Sequence, residues 1–148
     1  MFVQLQVLLA ALWGGFLLCV AFAAAPSAFA VLDRASAGLF VARLFAFEAK
    51  LSLAVALILM LLERRIARDA TEAGAASNVF STTLLLSAVA LFCTIAGYYG
   101  LQPLMADARA GTGVASFAAL HGASLAFFAV KGLVVLALAW RLSRPRSS

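Results

Sequence analysis

Four long apolar stretches, separated by short polar ones, constrain this chain more than any other feature of its sequence. They cover roughly residues 3–25, 39–62, 79–100 and 116–140. Each is long enough to supply the ~20 residues that a helix needs to cross ~30 Å of hydrocarbon. A backbone in lipid must satisfy its own hydrogen bonds, so each stretch is expected to be a helix. The alternation of ~10-residue strands that is typical of membrane β-barrels does not occur in the sequence.

The composition excludes an ordinary soluble domain. Of the 148 residues, 66% are hydrophobic and 11% are charged, whereas soluble domains have about 45–50% apolar and about 25% charged residues. The four stretches and their short connections account for the whole chain. We therefore predict an all-α membrane protein, a single domain over residues 1–148, with four transmembrane helices in an antiparallel up-down bundle.

The first stretch also has one feature of a secretory signal peptide, because Ala28-Phe29-Ala30 matches an A-x-A cleavage motif. However, no Lys or Arg precedes the apolar run, and the run exceeds the roughly 7–15 residues of a signal peptide's apolar region. We expect it to remain as the first transmembrane helix.

The arginines predict the orientation. With four spans, the two termini and the second connection lie on one side, which holds Arg64, Arg65, Arg68, Arg141, Arg144 and Arg146. The other side holds Arg34 and Arg109. The positive-inside rule then places both termini in the cytoplasm, in a multi-pass protein of the bacterial inner membrane. Most of the net charge of +5 is thus a topology signal, and no nucleic-acid partner is expected.

Counting residues from these boundaries places the polar side chains mainly in the outer half of the bundle, with a nearly pure hydrocarbon inner half. Glu48 is the only acid within a predicted span, and Lys131 is the only base near the midplane. Charged groups at such depths usually face the interior with a partner. We therefore expect Glu48 and Lys131 to form a buried pair. Arg43 and Lys50 share another stripe of the same helix, where they can reach lipid headgroups or line an anion site.

Helical periodicity predicts which faces point inward. On the third span this face carries Thr83, Ser87, Thr94 and Tyr98, and on the fourth it carries Ser124 and Lys131, with His121 at its edge. On the first span we expect an inward stripe of Ala11, Gly15, Cys19 and Phe22, with Ala10 and Gly14 forming a close helix contact. His121, Ser124, Thr94 and Tyr98 would then line the polar outer half.

Two pieces of sequence, "AGLFVARLF" and "LHGAS", carry a family resemblance, together with Gly14-Gly15-Phe16, Ala25-Pro26 and Pro103. The chain resembles the transmembrane protein 205 family, whose bacterial branch is domain of unknown function 4149. The resemblance implies a four-helix membrane protein and no established reaction. The chain departs from the family pattern at Ala46, where Pro is common, and at Glu48, where an aromatic residue is common, so the resemblance implies no role for Glu48.

Three functions remain open at this point. The first is binding or moving a small anion, an ion or a lipid headgroup through a polar pocket in the outer half. The second is a non-catalytic structural or assembly subunit, either as a homo-oligomer or with another membrane protein. The third is a haem or metal protein that uses His121, with Cys19 and Cys93 as weak metal candidates. Enzyme motifs are lacking in the sequence, so we expect no catalytic residues, no cofactor and no enzymatic activity.

Overall fold

The computed structural model describes residues 1–74 and 81–144, which are almost entirely helical and include no β-strand. In chain order the α-helices are α1 (Phe2–Cys19), α2 (Ala25–Val31), α3 (Arg34–Glu72), α4 (Thr82–Thr94), α5 (Leu101–Ala110) and α6 (Phe117–Ser143). A π-helical turn, Val20–Ala24, joins α1 to α2, and a second one, Ile95–Gly100, joins α4 to α5.

These elements form four continuous segments that are long and apolar enough to cross a membrane. They are segment 1 (Phe2–Val31), segment 2 (Arg34–Glu72), segment 3 (Thr82–Ala110) and segment 4 (Phe117–Ser143). The prediction of an all-helical chain with four such helices is confirmed. Residues 79 and 80 of the predicted third span and Arg146 lie outside the described residues.

The segments extend beyond the predicted spans. The spans were predicted from the apolar stretches alone, whereas capping residues determine where the helices begin and end. Asp33 accepts hydrogen bonds from the backbone of Ala35 and Ser36, both at 3.0 Å, and so begins α3 five residues before its predicted start. The hydrogen bonds with Ser36 lower the pKa of the Asp33 carboxyl, since they favour its ionised form. Gly111, with φ of 75°, ends α5 ten residues after the predicted end of span 3.

A proline follows each π-helical turn. Pro26 and Pro103 lack a backbone N–H, and their rings crowd the carbonyl groups four residues earlier, at Phe22 and Tyr99. Both carbonyls belong to the π-helical turns. A π-helical turn contains one residue more than an α-helical turn. This wider turn accommodates the proline ring, so the helix continues without a break. Segments 1 and 3 therefore change direction and register at corresponding places near their C-terminal ends.

Before these turns, the segments pack in a closed ring. α1 packs against α3, α3 against α4, α4 against α6, and α6 against α1. Segments 1 and 3 are therefore diagonal to one another, as are segments 2 and 4. The interior of the ring is an apolar cluster of Ala10, Trp13, Leu17, Val55, Ala56, Leu59, Ala90, Val135, Leu138 and Leu142.

Beyond the turns, the ring separates into two helix pairs. α2 packs against α3, while α5 and the preceding π-helical turn pack against α6. Among the described residues, no comparable packing joins α2 to α6 or α3 to α5. The two pairs enclose the space in which the polar side chains of the predicted outer half converge.

The predicted inward face is confirmed for segment 3 but wrong for segment 1. Thr83, Ser87 and Thr94 are buried and Tyr98 is half-buried. On segment 1 the predicted stripe is exposed instead, at Ala11, Gly15, Cys19 and Phe22. Its neighbours Ala10 and Gly14 are buried against the other segments, as is Trp13. The small residues alone could not distinguish two adjacent faces, and the large indole of Trp13 determined which one packs inward.

The close approach of Gly97 to segment 4 gives a first prediction. A β-carbon on Gly97 would lie 2.4 Å from the β-carbon of Phe127, so Gly97→Ala must displace a helix backbone. We expect a loss of about 1–3 kcal/mol in the free energy of unfolding, as for other overpacked sites, measured by thermal or denaturant unfolding in detergent.

The matched control is Gly15→Ala, because a β-carbon there has no atom within 4 Å. This variant should be neutral or more stable by about 0.5–1 kcal/mol, since alanine favours the helix. Equal stability of the two variants would contradict the close packing of segments 3 and 4 at Gly97.

Candidate functional site

A cavity of about 460 Å³ lies between the two helix pairs, within the size range of small-molecule sites. All four segments contribute to its wall. Segment 1 supplies Phe29, whereas segment 2 supplies Arg34, Gly38, Val41, Ala42, Phe45 and Glu48. Segment 3 supplies Cys93, Thr94, Gly97, Tyr98, Gln102, Met105 and Arg109, and segment 4 supplies Phe117, His121, Ser124, Leu125, Phe128 and Lys131.

The floor of the cavity is a buried ion pair between segments 2 and 4. Lys131 Nζ lies 2.7 Å from Glu48 Oε1 and 2.9 Å from Oε2. The exposed fractions of the two residues are 1% for Glu48 and 3% for Lys131. These segments are diagonal in the ring, so the pair crosses its centre. The structure thus brings together the two charges that the sequence analysis pairs.

A chain of hydrogen bonds extends the pair to segment 1. Ser52, one turn after Glu48 on α3, donates its hydroxyl proton to the Glu48 carboxylate. Trp13 Nε1 in turn donates to Ser52 Oγ over 2.9 Å. Lys131 Nζ also lies 5.0 Å from the centre of the Phe128 ring, within cation–π range. Each side-chain nitrogen and oxygen atom of this network therefore has at least one hydrogen-bond partner within the protein.

Such engagement is what a charge pair needs in a low-dielectric interior. Removing two charges from water costs several kcal/mol per ion, and only close geometry with further hydrogen bonds offsets this cost. The Glu48–Lys131 pair has both. Together with Ser52 and Trp13, the pair therefore connects three of the four segments. It does so at the level where the closed ring ends and the cavity begins.

The mouth of the cavity carries a second group of cations. Arg34 begins α3, and Arg109 lies in the last turn of α5. The Arg109 guanidinium lies 4.6 Å from the centre of the Phe117 ring. Phe117 is itself stacked on His121, with 5.7 Å between ring centroids and 10° between planes. The guanidinium, the phenyl ring and the imidazole form one layered stack that joins α5 to α6.

Cationic residues exceed acidic ones in the cavity wall. The lining contains Arg34, Arg109 and Lys131 but only one acid, Glu48, so its formal net charge is +2. Because Lys131 and Glu48 are paired with each other, the excess charge belongs to the two arginines. They lie there because α3 begins before the predicted second span and α5 continues past the predicted third span.

Arg43 and Lys50 have a different position from that of the two arginines. Both are exposed and neither lines the cavity. They lie on the outer surface of α3, while Glu48 points inward, as the difference in helical phase requires. Any headgroup contacts that they make are therefore outside the cavity.

The four residues expected to line the polar outer half all reach the cavity wall: His121, Ser124, Thr94 and Tyr98. Ser124 Oγ donates to the carbonyl oxygen of Gly97 over 2.9 Å. This carbonyl belongs to a π-helical turn, so Ser124 connects the irregular part of segment 3 to segment 4. Thr94 Oγ1 instead donates to the Ala90 carbonyl of its own helix.

The metal candidates do not converge. Cys93 and His121 line the cavity, but Cys19 is exposed and does not. Within residues 1–74 and 81–144, no group of three or more His, Cys, Asp or Glu side chains could hold a metal ion. The structure thus places the two cysteine candidates differently, with Cys93 in the cavity wall and Cys19 outside it.

The half predicted to be nearly pure hydrocarbon contains a buried polar contact at its end. Gln6 Nε2 donates to Glu63 Oε2 over 2.8 Å, and both residues are buried. Glu63 lies one residue beyond the predicted second span, so the count of acids within the spans missed it. The Trp13–Ser52 bond was missed as well. The sequence did indicate a polar neighbour for Glu48, because Ser52 follows it by one helical turn and so lies on the same face of α3.

The buried pair gives a second prediction, for Glu48→Gln and Lys131→Met. Each single replacement leaves an unpaired group in the interior and should lower the free energy of unfolding by about 3–5 kcal/mol. The double replacement removes both charges and should be much closer to the parent protein. A double-mutant cycle in detergent measures the difference. Additive losses in the cycle would mean that the two side chains do not interact.

Comparison with known proteins gives one match. A family model described as Domain of unknown function (DUF4149) matches residues 8–113, which include most of segment 1, all of segments 2 and 3, and the mouth residues Arg34 and Arg109. Neither the curated proteins nor the solved structures yield a significant match. The wider relation to transmembrane protein 205 stays a prediction. Since the match covers more than half of the chain, the protein belongs to the DUF4149 family.

Proposed function

We propose that this protein is a membrane protein that binds a small anion or an anionic lipid headgroup in the cavity of its outer half. The observation that carries the proposal is the cavity of about 460 Å³ with a formal net charge of +2 in its wall. A ligand with negative charge would meet Arg34 and Arg109 at the mouth. Guanidinium groups suit this role, because their planar donors match carboxylate and phosphate oxygens.

The inner part of the molecule favours binding over conduction. Below the Glu48–Lys131 pair, the apolar cluster around Leu59, Val135 and Leu138 fills the ring, and these residues are fully buried. A polar ligand that reached the floor would face this packed layer. Movement of a ligand across the membrane would require another conformation or assembly with further subunits.

The proposal includes an orientation. The arrangement is an antiparallel up-down bundle with both termini in the cytoplasm of a bacterium, and the cavity then opens to the outer side of the inner membrane. Six arginines on the side of the termini against two at the cavity mouth support this orientation.

A non-catalytic structural or assembly subunit is the second candidate. The observation that favours it is the network of Trp13, Ser52, Glu48 and Lys131, which joins three segments without leaving a charge free for a ligand. In that case the arginines at the mouth would contact a partner protein, and their replacement would alter assembly without affecting anion binding.

The orientation gives a third prediction. A reporter enzyme that is active only in the cytoplasm should be active when fused at either terminus, whereas a reporter inserted at Gly113 in the connection from α5 to α6 should be inactive. Gly113 lies at the same end as Arg109, two residues beyond the end of that helix at Gly111. Activity at the Gly113 insertion and at neither terminus would overturn the orientation.

The cationic mouth gives a fourth prediction. The variant Arg34→Gln/Arg109→Gln should bind inorganic phosphate at least ~10-fold more weakly than the parent, a change of about 1.4 kcal/mol. The matched control is Arg43→Gln/Lys50→Gln, which also removes two cations from the outer half but leaves the cavity wall intact. The control should retain phosphate binding within about two-fold.

The measurement is isothermal titration of the protein in nanodiscs of a zwitterionic lipid, at low and at physiological salt. Binding should weaken with salt, because the arginines at the mouth are open to solvent and ions. Equal losses in the two double variants would show that net charge alone matters and would overturn the assignment of the site. No phosphate binding by the parent protein would favour the structural subunit.

A further inference from the structure

The open seam between the two helix pairs bears on the kind of ligand that the cavity accepts. α2 packs against α3 and α5 packs against α6, and the described residues show no comparable packing between α2 and α6. Phe29 of α2 and Leu125 of α6 line the cavity, yet each is about half exposed, at 53% and 51%. The cavity wall therefore continues into the apolar outer surface of the protein, which in a membrane contacts acyl chains.

Polarity changes in layers along the cavity. Arg34 and Glu48 are fourteen residues apart on α3, which places the cationic mouth roughly 21 Å from the floor. Phe117 and Lys131 have the same spacing on α6. Between the two levels, the apolar part of the wall includes Val41, Phe45, Leu125 and Phe128, and its polar part includes Thr94, Tyr98, Gln102 and Ser124. Phe45 and Phe128 meet edge to face across the cavity, with 5.3 Å between their ring centroids.

A small hydrated anion would use only the top of such a cavity. It would find donors at the mouth, but much of the wall below consists of rings and aliphatic side chains that would remove its water. The hydroxyl groups of Thr94 and Ser124 already donate to backbone carbonyls, so the anion would gain few hydrogen bonds in return. The floor offers it little more, since Lys131 already donates to both oxygens of Glu48. An anionic group with a hydrocarbon portion would match both layers.

We infer that the ligand is an amphipathic anion, with a phosphate or carboxylate group at Arg34 and Arg109 and a hydrocarbon portion packed against the rings of Phe45 and Phe128. The seam between α2 and α6 lets such a molecule enter sideways from the outer leaflet with its charged group at the headgroup level. This inference rests on the proposed anion site and adds the chemical class of the ligand and its route of entry.

The test compares three probes, which carry a negative charge, a hydrocarbon chain or both. Dodecyl phosphate has the charge and the chain, inorganic phosphate has the charge alone, and dodecanol has the chain alone. Binding is measured by isothermal titration of each probe into nanodiscs of zwitterionic lipid that contain the full-length protein. The signal from empty nanodiscs is subtracted. We expect dodecyl phosphate to bind at least ~10-fold more tightly than either of the other probes.

A pair of glycine variants separates the contribution of the ligand's hydrocarbon chain to binding from that of its phosphate group. Gly38 lines the cavity one turn below Arg34, and a β-carbon there has no atom within 4 Å, so Gly38→Leu adds a side chain in open space. It should weaken dodecyl phosphate binding at least ~10-fold and change phosphate binding less than about two-fold. Gly122→Leu on α6 is the matched control, because Gly122 is equally unobstructed and lies outside the lining.

The outcomes distinguish this inference from the proposed function. If dodecyl phosphate binds no more tightly than phosphate while Arg34→Gln/Arg109→Gln abolishes both, the anion site stands and the amphipathic ligand is overturned. If dodecanol binds as tightly as dodecyl phosphate, the arginines contribute nothing and both proposals fail. Equal effects of Gly38→Leu and Gly122→Leu would overturn the placement of the hydrocarbon portion.

Discussion

The structure depends most on the ion pair between Glu48 and Lys131, because it places two charges at the centre of an otherwise apolar helix assembly. Helices in lipid gain little from burying apolar surface against each other, so packing and polar contacts must hold them together. This pair joins diagonal segments, and Ser52 and Trp13 extend it to a third. It also marks a boundary, since apolar packing fills the ring on one side of it and a cavity opens on the other.

The cavity follows from a local backbone effect in two segments. Pro26 and Pro103 each follow a π-helical turn, and past these turns segments 1 and 3 pack with one neighbour only. Before these turns, the ring is closed by packing between all neighbouring segments. The redirected ends, α2 and α5, instead leave room between two helix pairs, and α5 contributes Arg109 to the mouth. The fold and the candidate site therefore share one cause.

Much of the site could be predicted from the sequence, although one part of its charge was assigned to the wrong residues. Glu48 and Lys131 could be paired because each is the only charge of its sign at that depth. Arg43 and Lys50 were the predicted candidates for an anion site, whereas the cavity has Arg34 and Arg109 instead. Hydropathy placed these two arginines in connecting loops. Capping at Asp33 and the continuation of α5 to Gly111 made them parts of helices that face each other.

By itself, the sequence determined that the chain has four helices suited to a membrane, because the length and apolarity of each stretch are properties of neighbouring residues. It also determined the inward face of segment 3, where polar residues recur at the helical period. Only the tertiary structure decided that Trp13 faces inward while Cys19 is exposed, and that the segments separate into two helix pairs beyond the π-helical turns. These features depend on which helices become neighbours, and that arrangement is set by contacts between residues far apart in the chain.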